Sequence, residues 1–124
     1  MKITITSRGD GLDSILDPRF GRCAYFIIVD TEDESNLKAI PNGAATAGGG
    51  AGIQAAQTVI NEDVEAVISG NFGPRAFDAL SSAGVKLYTV TAQTVKEALD
   101  SFNSGKARLL ASASAAAHAG LREI

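Results

Sequence analysis

Three segments of this chain carry residues whose types and spacing suit the capture of an anion. They are Phe20-Gly21-Arg22-Cys23, Pro41–Ile53 and Asn71-Phe72-Gly73-Pro74-Arg75. The middle one, PNGAATAGGGAGI, has no large apolar side chain before Ile53 and holds Gly43, Gly48, Gly49, Gly50 and Gly52. It runs into Ile53, Ala56, Val59 and Ile60, spaced as one face of a helix. A glycine-rich chain entering a helix presents backbone N–H groups at the positive end of the helix dipole, where an anion is favoured. Asn42, Gly49, Gly50 and Gly52 are the candidate binding residues of that loop. Arg22 adds a fixed planar cation. Asn71, Gly73 and Pro74 form a turn into a second helix, with further N–H groups and Arg75 beside them.

Rival chemistries fit less well. Gly50-Ala51-Gly52-Ile53-Gln54-Ala55 matches a relaxed G-x-G-x-x-A pattern. A dinucleotide loop, however, turns directly from a strand and needs an acidic residue about 20 positions on. Here Asn42–Gly49 intervenes, and the later region reads Ser69-Gly70-Asn71. No Gly-Lys-Ser/Thr occurs, so a Walker A loop is absent. Cys23 is a soft atom that could ligate a metal or form a reactive thiolate. It equally suits a small buried hydrophobe, and one thiolate makes no structural zinc site. His118, the single histidine, sits in an Ala/Ser-rich run, either as a solvated bystander or able to swing onto a bound metal. No Ser–His–Asp arrangement is credible, and Cys23 has no neighbouring base for nucleophilic catalysis. The carboxylates of Thr31–Ser35 and Asn61–Glu65 read as turns and helix ends, not an acid–base pair. These residues describe a binding protein, not an enzyme.

The elements that must position them follow from periodicity. Lys2–Thr6 alternates as a strand, Tyr25–Asp30 is a nearly continuous apolar run suited to a central strand, and Leu37–Pro41 is a short returning strand. Then come a helix over Ala51–Asn61, a strand over Glu65–Gly70, a helix over Pro74–Ala83 ended by Gly84, and a strand over Lys86–Val90. Thr94 and Glu97 form a capping box opening a helix through Phe102 that Gly105 closes. A meander followed by right-handed crossovers predicts an α/β fold. The expected sheet is mixed and five-stranded, order 3-2-1-4-5, with strand 2 antiparallel to the rest and helices on both faces. Ligands sit beyond the carboxyl ends of such strands. The loops there are Ser7–Gly21, Asn42–Gly50 and Gly70–Pro74, all containing glycine.

Length and composition bound the partners. The 124 residues suit one domain, read as residues 1–106, with 107–124 expected to be a mobile Ala/Ser-rich tail. A net charge of −3 argues against nucleic acid as the main partner. One cysteine excludes an internal disulfide framework and fits a reducing compartment. No signal peptide and no apolar run of roughly 18 residues is evident, so a cytoplasmic protein without a membrane partner is expected. A monomer or weak homodimer is the expected state.

Four ordered motifs, FGRCAYFIIVD, NGAATAGGGAGIQAAQ, AVISGNFGPRAFDAL and TVKEALDSFNSGK, carry a resemblance over about residues 1–106. The chain resembles the dinitrogenase iron–molybdenum cofactor biosynthesis family. That family includes NifX-like and NafY-like proteins, the carboxyl-terminal domain of NifB and the orange protein, which carries a molybdenum–copper sulfide cluster. The resemblance implies a three-layer ribonuclease H-like fold without nuclease chemistry. It implies non-catalytic carriage of an anionic metal–sulfur cluster, of molybdenum/iron or molybdenum/copper type, in cofactor assembly, storage or delivery. Donor or acceptor proteins for the cluster would be partners. The family's motifs fall on Phe20, Gly21 and Arg22, on Gly49, Gly50, Ala51 and Gly52, and on Gly73 and Pro74. Many members have alanine where this chain has Cys23, which could add a sulfur ligand, and the tail lacks the His- or Cys-rich run of some members. A thiometallate is large, soft and negative, so N–H groups and arginines can hold it through its sulfides with few covalent ligands. The alternative reading is a regulatory domain for a phosphate-type anion.

Overall fold

Alternation in β1 (Lys2–Ser7) sends Ile3 and Ile5 to one face of a sheet and Thr4 and Thr6 to the other. In this computed structural model, which describes residues 1–44 and 50–111, β1 is central. It pairs antiparallel with β2 (Tyr25–Asp30) and parallel with β4 (Ala66–Ser69). β3 (Asp33–Pro41) returns beside β2, and β5 (Lys86–Thr89) lies parallel to β4. The four interior residues of β2 are buried, as its apolar run requires.

Among the described residues the sheet has six strands, not the five expected, in the order β3-β2-β1-β4-β5-β6. β6 (Arg108–Leu109) pairs antiparallel with β5, so β2 is not alone in opposing the parallel set. It falls among residues assigned to the tail, and the Leu110 N–H donates to the Leu87 carbonyl, extending that contact. β3 also begins earlier than the short strand expected, at Asp33, after a turn at Thr31–Glu32.

Helices cover both faces. α1 (Ala51–Ile60) and α2 (Pro74–Ser82) pack with Phe20, Phe26, Ile28, Val67 and Leu87 on one side. α3 (Val95–Asn103) covers Ile3, Ile5, Ile27, Val29 and Ile68 on the other. The Thr94 hydroxyl caps α3 by accepting from the Glu97 N–H at 3.1 Å. The Glu97 carboxylate reaches the Gln93 N–H, one residue before the partner a capping box would use. Ile53 departs from the expected stripe. It is 47% exposed, and Ala51, Ala55, Ala56 and Val59 form the buried face of α1 instead.

At the carboxyl ends of β1 and β4 the loops are tied together. The Thr6 hydroxyl donates to the Asp17 carbonyl at 2.6 Å and shares a 2.8 Å hydrogen bond with the Ser69 hydroxyl, and the Asn71 N–H donates to the Pro18 carbonyl at 2.8 Å. Gly70 is needed at this crossing. A Cβ there would lie 2.6 Å from Pro18 Cβ and 2.9 Å from its carbonyl oxygen. Among the described residues, no helix is long and apolar enough to cross a membrane.

Candidate anion-binding cleft

The chain turns at Phe20–Arg22 in one 3-10 turn, its floor set by Phe20, whose ring lies 5.3 Å from that of Phe72 and 5.6 Å from that of Phe26. Buried aromatic contacts of this kind hold the turn in one position. Gly21 then touches the start of α1. A Cβ on Gly21 would stand 3.3 Å from both Cα and N of Gly52, and one on Gly52 would stand 3.6 Å from Ala76 Cβ in α2. The three segments singled out in the sequence therefore meet through small residues.

Between them lies a cleft of 570 Å³. Arg19 to Arg22 form one wall, Ala51 and Gly52 a second, and Asn71 with Gly73 to Ala76 the third. Among the described residues its lining contains three arginines, Arg19, Arg22 and Arg75, and no carboxylate. Two helices begin there, each preceded by glycine: Gly50, with φ 74°, before α1, and Gly73 before α2. Neither has a side-chain cap, whereas α3, which starts elsewhere, is capped by Thr94. First-turn N–H groups without a capping side chain are the donors an anion takes. Pro74, at the first position of α2, contributes no N–H, so Arg75 and Ala76 supply the donors there.

Asn42, Cys23 and Arg19 are placed differently from the sequence reading. Asn42 is buried, and its amide donates to the Cys23 carbonyl at 2.9 Å and the Gly21 carbonyl at 3.2 Å while accepting from the Ala44 N–H at 3.0 Å. It clamps the turn and the loop start together and does not line the cleft. Cys23, expected as a possible sulfur ligand, does not line the cleft. Its side chain is fully buried in the core beneath α1, with the thiol donating to the Phe20 carbonyl at 3.3 Å. Burial, assisted by the nearby Asp17 charge, pushes the thiol pKa up to about 12 from a usual 9.0. A group that resists ionisation among apolar neighbours is a poor ligand. Arg19 and its anchor Asp17 were missed. The buried Asp17 carboxylate accepts from the Arg19 backbone N–H at 3.0 Å and from its guanidinium at 3.3 Å, which raises the Arg19 pKa. The only signal was the spacing of Asp17 and Arg19 just before Phe20, which is common in ordinary turns.

Arg22, Gly50, Gly52, Asn71, Gly73 and Pro74 all fall at this convergence, with Gly50 as the residue leading into the α1 wall. Gly49 and His118 lie outside the described residues. Among the described residues, no group of three His, Cys, Asp or Glu side chains could hold a bare metal ion.

The family profile described as dinitrogenase iron-molybdenum cofactor matches residues 1–105. The chain belongs to that family. It is 33% identical over 93 residues, 73% of this chain and 79% of its relative, to an uncharacterized protein of Methanocaldococcus jannaschii. Its structure is similar to the apo form of the orange protein from Desulfovibrio gigas, with TM-score 0.87 and 36% identity, covering 92% of this chain and 96% of that one. A NifB-like protein of Thermotoga gives TM-score 0.80 and 38% identity over 92% and 97% of the two chains. The family's description links the chain to the iron–molybdenum cofactor.

Proposed function

We propose that this protein binds and carries an anionic metal–sulfur cluster in the cleft between Arg22, Gly52 and Arg75, without catalytic turnover. One observation supports this most. Two uncapped, glycine-led helix N-termini and three arginines converge on a cleft that no carboxylate lines among the described residues. The family membership makes a molybdenum–sulfur cluster, with iron or copper, the fitting cargo. Such a cargo needs donors aimed at its sulfides, not protein ligands to its metals. The role is assembly, storage or delivery of the cluster, with donor or acceptor proteins as partners.

Anaerobic reconstitution of the cluster-free protein with tetrathiomolybdate and copper(I), and separately iron(II), tests this reading. The expected result is a visible charge-transfer band that co-elutes with the protein. A charge-assisted hydrogen bond is worth roughly 1.5–3 kcal/mol, so Arg22→Ala and Arg75→Ala are each expected to weaken retention by about tenfold or more. Absence of the band, or its full retention in both variants, overturns the proposal. Saturable binding of inorganic phosphate instead, read by calorimetry, would transfer the site to the phosphate-type reading.

A further inference from the structure

A second and larger groove, of 730 Å³, runs beside the cleft and shares Asn71 with it. Ile15, Leu16 and Pro18 form one wall and Val90 to Thr94 the other. Ile15, 55% exposed, is one of the few large aliphatic side chains that the described residues leave in solvent, and it sits on the groove wall. At its far end the groove shares Gly70, Val90 and Thr91 with a third hollow that reaches Lys106 and Arg108. Those two cations make no ion pair among the described residues. Among the described residues no Asp or Glu lines any of the three hollows, although the chain as a whole carries a net charge of −3. The continuous surface is therefore apolar in the middle and cationic at both ends.

Its walls are already fixed. The Leu16 N–H donates to the Gln93 carbonyl at 2.9 Å, the Val95 N–H to the Ser14 carbonyl at 3.0 Å, and Ile15 bridges to Thr94. A preformed groove loses little conformational freedom on binding. Its apolar centre suits a side chain and not an inorganic ion, which would lose its hydration there without compensation. Cations at both ends call for carboxylates on both sides of the apolar group, and a fatty acid supplies only one.

We propose that this groove seats an extended segment of a partner protein, in which an apolar side chain is flanked on both sides by carboxylates. The consequence for transfer rests on the cluster reading above, because a segment seated over Asn71 would lie next to the cargo. The docking itself does not require the cluster, so it is tested without one.

The probe is a blocked Glu-Glu-Leu-Phe-Glu-Glu peptide, titrated into isotope-labelled, cluster-free full-length protein and read by amide chemical shifts. Saturable, salt-sensitive shifts are expected at Ile15, Leu16, Asn71 and Thr91 to Thr94. Affinity is expected to fall at least tenfold in Ile15→Asp and in the double variant K106E/R108E, whose exposed positions leave the fold intact. It is also expected to fall at least tenfold when Ala-Ala replaces Leu-Phe in the peptide, and to persist in Arg22→Ala. No saturable shift at millimolar peptide overturns the proposal. So does equal affinity for the Ala-Ala peptide, or shifts confined to Gly21 and Gly52 that vanish in Arg22→Ala, since either would reduce the peptide to a generic anion. Failure of the cluster reconstitution alone would leave these results unchanged.

Discussion

Gly21 and Gly52 meet backbone to backbone: a Cβ on Gly21 would stand 3.3 Å from both Cα and N of Gly52. This contact joins the Phe20–Arg22 turn to the first turn of α1 and so sets the width of the cleft. Neither partner is a flexible side-chain end, whereas a Cβ on Gly52 would meet Ala76 Cβ only at an ordinary contact distance, 3.6 Å. The glycines therefore have a packing role apart from any effect on N–H exposure.

Gly21→Ala is expected to destabilise the protein by about 1 kcal/mol and Gly21→Val by about 3 kcal/mol, because overpacking pushes on backbone that must move as a unit. Both variants are expected to weaken cluster retention more than their stability loss explains, since the turn carrying Arg22 moves with Gly21. Urea denaturation read beside reconstitution checks this. Wild-type retention in a destabilised Gly21→Val protein would separate the contact from the cleft.

Gly70 offers a sharper case with an internal control. A Cβ there would fall 2.6–2.9 Å from three atoms of Pro18, two of them main-chain, whereas one on Gly11 would meet nothing within 4 Å. Gly70→Ala is expected to cost about 3 kcal/mol. Gly11→Ala, at a position without positive φ, is expected to stay within about 1 kcal/mol of wild type or to stabilise slightly. Comparable midpoints for the two variants in urea would contradict the packing argument.

The contrast between these glycines marks what the chain reveals on its own. The convergence of Arg22, Gly52 and Gly73 was legible because glycine and proline punctuate loops that topology sends to one edge of the sheet. β2 was legible to the residue because burial on both faces demands an unbroken apolar run. β6 was not, since two exposed residues, Arg108 and Leu109, bear no periodicity and depend on the open edge of β5. The charged start of β3 was hidden for a related reason: an outer edge strand has no burial to impose a pattern. Ile53 misled because a helix beginning against Gly21 must use alanine where contact is closest, leaving isoleucine outside. The inward turn of Cys23 and the internal use of the Asn42 amide depend on main-chain carbonyls that no residue pattern announces.

Thr4 carries a local cost that substitution should remove. Its hydroxyl is buried on the α1–α2 side of β1 with no hydrogen-bond partner among the described residues. An unsatisfied buried hydroxyl costs roughly 1–3 kcal/mol, and valine keeps both the shape and the β-branching. Thr4→Val is expected to raise stability by about 1 kcal/mol, read as a higher urea midpoint at unchanged slope. Thr6→Val is expected to do the reverse, because the Thr6 hydroxyl donates to the Asp17 carbonyl and joins Ser69. A loss of stability in Thr4→Val would mean that the hydroxyl is satisfied in solution.

Cys23 gives the last expectation, in alkaline solution. Its folded-state pKa is pushed up to about 12 from a usual 9.0, chiefly by burial and then by the Asp17 charge. The native state thus binds this proton more tightly than the unfolded chain. The associated stability is fully present below about pH 9 and is lost as pH rises towards 12. Lysines and tyrosines also titrate in that range, so the informative quantity is the difference between wild type and Cys23→Ala. The wild type is expected to lose more stability between pH 9 and 11 than the variant, although the variant is about 1 kcal/mol less stable at neutral pH through its lost packing. Alkylation by iodoacetamide at pH 8 is expected to be slow in the native protein and fast in urea. Rapid native alkylation near neutral pH would place the thiol in solvent and return Cys23 to the cleft as a ligand.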